Sequence, residues 1–115
     1  MLYGIGTDIV KVERIAEAKG SFLEFAFTER ELRELKGRPE RLAGCYAAKE
    51  ALVKALGVGF REIGLKDIEI LHNSLGKPYI RLNGNGEKYS GLIFNVSITH
   101  EKEYAAAFVT AEKEE

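Results

Sequence analysis

The stretch YAAKEALVKAL, residues 46–56, consists of strong helix formers and is mostly apolar. Lys49, Glu50 and Lys54 interrupt it. A surface helix gathers its charges on a stripe of their own; these three stand inside a segment that otherwise reads as core. The helix reaches back to Pro39, which suits a first turn, and stops at Gly57 and Gly59. Wound at about 100° per residue, it carries two arcs. Leu42, Tyr46, Leu52, Val53 and Leu56 form a bulky apolar one, and Gly44, Ala47, Ala48, Ala51 and Ala55 a small-residue one. Small residues admit a second backbone, and the N-terminal segment LYGIGTDIV supplies a matching one. Read as a strand, it puts Tyr3, Ile5, Thr7 and Ile9 on one face and Gly4, Gly6 and Asp8 on the other. The glycine face has no side chains to hold a helix away, so the long helix is expected to lie on it. Asp8 follows Gly6 on that face and Glu50 borders the small arc, so the two carboxylates are expected to converge.

The rest of the chain fits around this pair. Residues 11–19 read as a helix with Val12, Ile15 and Ala16 buried, and Thr28 with Glu31 forms a capping box opening the helix TERELREL. Two hairpins follow. One pairs 67–71 with 78–82 around HNSLGK, and the other pairs 92–99 with 104–111 around HEKE. NGNGEKYSG is a glycine-rich connection with one helical turn. Early helices packed on a mainly antiparallel sheet make an α+β fold, in one domain spanning 1–115.

Composition narrows the function. The chain is 45% apolar and 30% charged, as expected of a soluble globular protein. No apolar run approaches a membrane span, and MLYGIGTDIV lacks the basic and apolar regions of a signal peptide. A single cysteine, Cys45, excludes a disulfide framework; a cytoplasmic location is expected. A net charge of −1 argues against nucleic-acid binding.

Converging carboxylates repel unless a cation lies between them. Two oxygen ligands without His or Cys suit Mg²⁺, whose remaining positions are filled by water and substrate phosphate. Lys54, one turn beyond Glu50, would face the same phosphates. Simpler readings stand beside this one. Asp8 can cap the helix that follows, and Glu50 with Lys54 can form a surface ion pair. Lys49, whose helical neighbours are apolar, can snorkel or meet a ligand or an interface. Lys36, Arg38 and Arg41 form a basic cluster that reads as a solvated face. Cys45 reads as a packing residue, with no activating base indicated.

GIGTDIV at 4–10, LAGCYAAKEALVKALG at 42–57, GKP at 76–78 and SITH at 97–100 occur in the order, and at roughly the spacing, of the holo-acyl-carrier-protein synthases, the small bacterial 4′-phosphopantetheinyl transferases. The chain resembles that family over nearly its whole length. The resemblance implies a homotrimer with active sites at subunit interfaces. It implies transfer of phosphopantetheine from coenzyme A to a serine of acyl carrier protein, releasing adenosine 3′,5′-bisphosphate. By motif, Asp8 and Glu50 are expected to hold Mg²⁺, with Glu50 and Lys54 catalytic. Lys49, Lys54, Gly57, Lys77, Pro78, Ser97 and His100 are expected to contact coenzyme A, and Arg14 to dock the carrier protein. The serine's proton goes to Glu50 or to a metal-bound water, and the sequence does not choose. Where many relatives carry a basic residue this chain has Cys45, so a coenzyme A phosphate contact is either missing or supplied by Arg38 or Arg41. Two other classes remain open: a non-catalytic module that binds a nucleotide or coenzyme A, and a structural trimer with Lys49 and Glu50 in interface ion pairs.

Overall fold

The computed structural model describes residues 1–114. Strand β1 (Leu2–Lys11) opens the chain, followed by helices α1 (Val12–Ala16), α2 (Gly20–Ala26), α3 (Glu29–Leu35) and α4 (Pro39–Leu56). A 3₁₀ turn, Leu65–Asp67, leads into β2 (Ile68–His72) and β3 (Pro78–Leu82). A second 3₁₀ segment, Gly84–Tyr89, precedes β4 (Leu92–His100) and β5 (Tyr104–Lys113). The α+β class is the one expected, and every strand pairing is antiparallel. The strands do not form one sheet, however. The order β1-β5-β4 makes a three-stranded sheet, and β2-β3 stand apart as a ribbon.

Helix α4 is the spine of the molecule. Twelve of its 18 residues are buried, as befits a helix that is apolar nearly all round. It packs chiefly on β1 and β5, and the glycines of β1 explain how closely. A Cβ placed on Gly4 would overlap the carbonyl oxygen of Ala55, and one on Gly6 would overlap that of Ala51. Gly44 meets the neighbouring β4, where an added Cβ would stand 2.8 Å from Ile98 Cγ2. The helix ends at Gly57, which takes the left-handed conformation (φ 73°) and returns its N–H to the Val53 and Lys54 carbonyls.

The segment 11–19 departs from expectation. Lys11 still belongs to β1, the helix stops at Ala16, and a separate helix, α2, follows. Neither short helix has a side-chain cap; both depend on packing, with the Phe22 ring 5.7 Å from that of Tyr46. The Thr28–Glu31 capping box forms with both arms in place. On the opposite side of the sheet, Ile5, Ile9, Ile93 and Phe108 are exposed; the side that faces α4 is lined by Val10, Ala105, Ala107, Val109 and Ala111, all buried.

Candidate active site

The glycine contacts also set where the carboxylates fall. Two residues along β1, from Gly4 to Gly6, correspond to one turn back along α4, from Ala55 to Ala51. About 6.6 Å of strand matches about 6 Å of helix, so the same step brings Asp8 abreast of the turn carrying Ala47 and Glu50. Lys54 reaches back to this point. Its Nζ donates to Asp8 Oδ1 at 3.2 Å and to the Thr7 carbonyl at 3.0 Å. Asp8 caps no helix, because the residue before α1 is Lys11. The cation of the group therefore leans on Asp8 across two elements and not only along its own helix.

Tyr46 joins this cluster from the helix turn before Glu50. Burial pushes its hydroxyl up to about 12, and the Glu50 carboxylate adds to the shift both by charge and as hydrogen-bond acceptor. The charges of Arg14 and Asp8 act on the same hydroxyl more weakly, the first lowering and the second raising its pKa. Two clefts open there. One, of about 270 Å³, lies between Arg14, Lys19, Phe22 and Tyr46. The other, of about 560 Å³, runs past Tyr46 and Glu50 between Phe22, Phe25, Phe60 and Leu65. Sequence reasoning placed Tyr46 in the core arc and did not single out these phenylalanines. The signal available was FLEF in α2, two aromatics three residues apart and thus on one helical face; Phe25 is 67% exposed.

Among the described residues no group of three or more His, Cys, Asp or Glu stands ready to cage a metal. Two carboxylates beside a lysine and open clefts fit an ion that keeps water and substrate oxygens among its ligands. They do not fit a zinc site.

Other expected site residues lie elsewhere. His100 lines a cleft of about 440 Å³ together with Arg41, Cys45, His72 and Gly76. Lys77 follows in the β2–β3 turn, which is closed by Asn73 Oδ1 accepting from the Lys77 N–H at 3.0 Å, and Pro78 opens β3. This third cleft sits at the N-terminal half of α4; Asp8, Glu50, Lys54 and Gly57 gather at its C-terminal half. Ser97 alternates onto the outer face of the sheet, paired with Phe108 and exposed. One chain thus does not bring Ser97 or His100 to Glu50. Arg41 of the basic cluster lines the His100 cleft, and Lys36, Arg38 and Arg41 are all exposed, as the reading as a solvated face requires.

Lys49 requires a correction. Expected to touch coenzyme A, it is fully buried. Its ammonium donates to Glu31 Oε1 at 2.6 Å and to the carbonyls of Ala26 and Leu65 at 2.8 and 2.9 Å. All three N–H groups have acceptors, leaving none for a ligand. Glu31 in turn accepts from the Thr28 and Ile70 N–H groups and from the Cys45 thiol. Burial, and next the Glu31 charge, raise the Cys45 thiol well above its ordinary range, which agrees with a packing role.

Residues 4–109 match the 4′-phosphopantetheinyl transferase superfamily. The chain is 48% identical over 118 residues to the holo-[acyl-carrier-protein] synthase of Alkaliphilus metalliredigens, covering 93% of this chain and 96% of that one. Its fold is similar to that of the holo-(acyl-carrier-protein) synthase from Bacillus anthracis, solved in complex with CoA (3′,5′-ADP): TM-score 0.87, 37% identity, 99% of each chain. The Helicobacter pylori holo-[acyl-carrier-protein] synthase, solved in complex with coenzyme A, has TM-score 0.84 and 32% identity over 94% of this chain and 99% of that one. With a family match over most of its length and near-complete coverage of these relatives, the chain belongs to the holo-[acyl-carrier-protein] synthases, enzymes of the 4′-phosphopantetheinyl transferase superfamily.

Proposed function

We propose that this chain transfers the 4′-phosphopantetheine of coenzyme A to a serine hydroxyl of apo-acyl carrier protein, releasing adenosine 3′,5′-bisphosphate. The transfer is Mg²⁺-dependent and takes place in the cytoplasm. The observation that carries the reading is the meeting of Asp8 and Lys54 with the Glu50 turn across the glycine face of β1. A module that only bound coenzyme A would have no use for two carboxylates beside a diphosphate.

Asp8 and Glu50 would hold the ion, which supplies charge neutralisation at the diphosphate and a template for in-line attack. Phosphoryl chemistry of this kind asks the protein mainly for positioning and positive charge. Lys54, more than half exposed at its side chain, is free to swing from Asp8 onto the diphosphate. Gly57 presents backbone without a side chain just beyond it. Tyr46 keeps its proton and orients the Glu50 carboxylate. Arg14 offers an acidic carrier protein a cation in the cleft that shares Phe22 and Tyr46 with the one passing Glu50.

Coenzyme A is long, and its expected contacts split between the two halves of α4. The apolar outer face of the sheet, with Ile5, Ile9, Ile93 and Phe108, is left uncovered in one chain. Both features support a homotrimer assembled on that face, in which Ser97, His100, Lys77 and Pro78 of one copy complete the site of the next.

The test is the intact mass of an apo-acyl carrier protein incubated with this enzyme, coenzyme A and Mg²⁺, beside a control with EDTA. A gain of one phosphopantetheine arm, lost in EDTA, is the expected result. Coenzyme A binding without any gain in mass across several carriers would reduce the protein to a binding module.

A further inference from the structure

We propose that Lys49 is a positioning residue that fixes the walls of the cleft beside Glu50, which shares Phe22 and Tyr46 with the Arg14 cleft and so forms one docking surface with it for the carrier protein; this rests on the reading of Arg14 given above. Phe22 and Phe25 of α2 line one part of the cleft, Leu65 and Asp67 of the 3₁₀ turn another, and Tyr46 and Glu50 of α4 a third. These segments are far apart in sequence and meet at one atom. Lys49 Nζ binds the carbonyl of Ala26, the last residue of α2, at 2.8 Å. It binds the carbonyl of Leu65, the first residue of the 3₁₀ turn, at 2.9 Å. It stands on α4 one residue before Glu50, and its third bond, to Glu31 Oε1 at 2.6 Å, supplies the neutralising charge from α3. The Phe27 ring lies beneath the ammonium, 5.3 Å from centroid to Nζ.

With no water contact, any widening between α2 and the 3₁₀ turn would strand a charged donor in the interior. The cleft is therefore locked in width. A fully apolar residue at 49 would fill the space without the desolvation cost of a buried charge; what it would not do is hold carbonyls from two sides of the cleft together. The short α2, uncapped at its N-terminus, depends on this tie more than a longer helix would.

The experiment compares the unmutated enzyme, in which Lys49 is bonded to both cleft carbonyls, with Lys49→Met/Glu31→Gln, which removes the tie without orphaning a charge. Each is studied well below its own melting temperature. KM is measured separately for carrier protein and coenzyme A, and backbone amide exchange is followed over residues 22–27 and 63–67. The unmutated enzyme supplies the reference KM values and slow exchange. The double variant should raise the carrier KM by about tenfold or more, leave the coenzyme A KM within about twofold, and exchange faster in both segments. Equal carrier KM values in the double variant and the unmutated enzyme, or a loss in proportion to melting temperature alone, would overturn the proposal. If the double variant does not fold, Lys49→Gln on the Glu31→Gln background takes its place with the same readings. Failure of the unmutated enzyme to transfer would remove the functional reading instead. The exchange comparison, which needs no substrate, would still decide the clamp, with equal rates overturning it.

Discussion

A single methyl group at Gly6 tests whether the closeness of α4 and β1 builds the site. The Cβ of Gly6→Ala would stand 2.9 Å from the Ala51 carbonyl carbon and 2.8 Å from the Ala55 nitrogen, where relaxed carbon contacts need about 3.5 Å or more. The Ala51 oxygen lies nearer still, so strand and helix must separate by roughly 1 Å. No flexible side chain can absorb the change, because the three atoms nearest to that Cβ are all backbone. Overpacking a rigid core costs typically about 1–3 kcal/mol and sometimes more; a purely backbone collision belongs at the upper end, about 3 kcal/mol. A shift of about 1 Å in catalytic groups costs on the order of 10² in rate, because Asp8 rides on the strand and Glu50 on the helix. Guanidinium denaturation gives the first quantity, and transfer rate per folded molecule the second. Gly20→Ala is the control, since a Cβ there meets nothing within 4 Å and an α2 position gains from alanine. Gly6→Ala within about 0.5 kcal/mol of the unmutated enzyme, with full activity, would refute the reasoning.

Three further outcomes follow from the same geometry. Lys54→Ala should lower kcat by about 10²–10³ and change stability by less than about 1 kcal/mol, because its ion pair with Asp8 is half exposed; denaturation and steady-state kinetics separate the two effects. Arg14→Glu should raise the carrier KM several-fold and leave that for coenzyme A unchanged, so an unchanged carrier KM would remove Arg14 from the docking surface. Cys45, 2% exposed and held protonated by burial and the Glu31 charge, should resist thiol reagents in mildly alkaline buffer until denaturant is added; rapid labelling of the native enzyme would contradict that placement.

The contact between α4 and β1 was legible because it is written as missing side chains. Gly4 and Gly6 alternate on one strand face, and Ala51 and Ala55 recur at one-turn spacing. The capping box was equally legible, being local. What local pattern does not reveal is the second life of Glu31. Its long-range partner is 18 residues away, and a capping glutamate ordinarily faces water. Lys49 was misread for the same reason. A lysine among apolar neighbours on a helix can meet solvent, ligand or a buried carboxylate, and only tertiary structure decides. The helix α2 escaped notice because neither cap nor long periodicity marks it; packing on Tyr46 and the bond from Lys49 hold it in place. Ser97 and His100 lie an odd number of residues apart on β4, so alternation alone sends them to opposite faces, although the family motif groups them.

The most direct test of the account is a Mn²⁺ titration followed by electron paramagnetic resonance, with coenzyme A present, on the unmutated enzyme, Asp8→Asn and Glu50→Gln. Mn²⁺ shares the preference of Mg²⁺ for hard oxygen ligands. The account predicts one bound ion per chain, held at least about tenfold more weakly in each variant. Undiminished binding in either would contradict the claim that the glycine face of β1 brings these two carboxylates together to hold the metal.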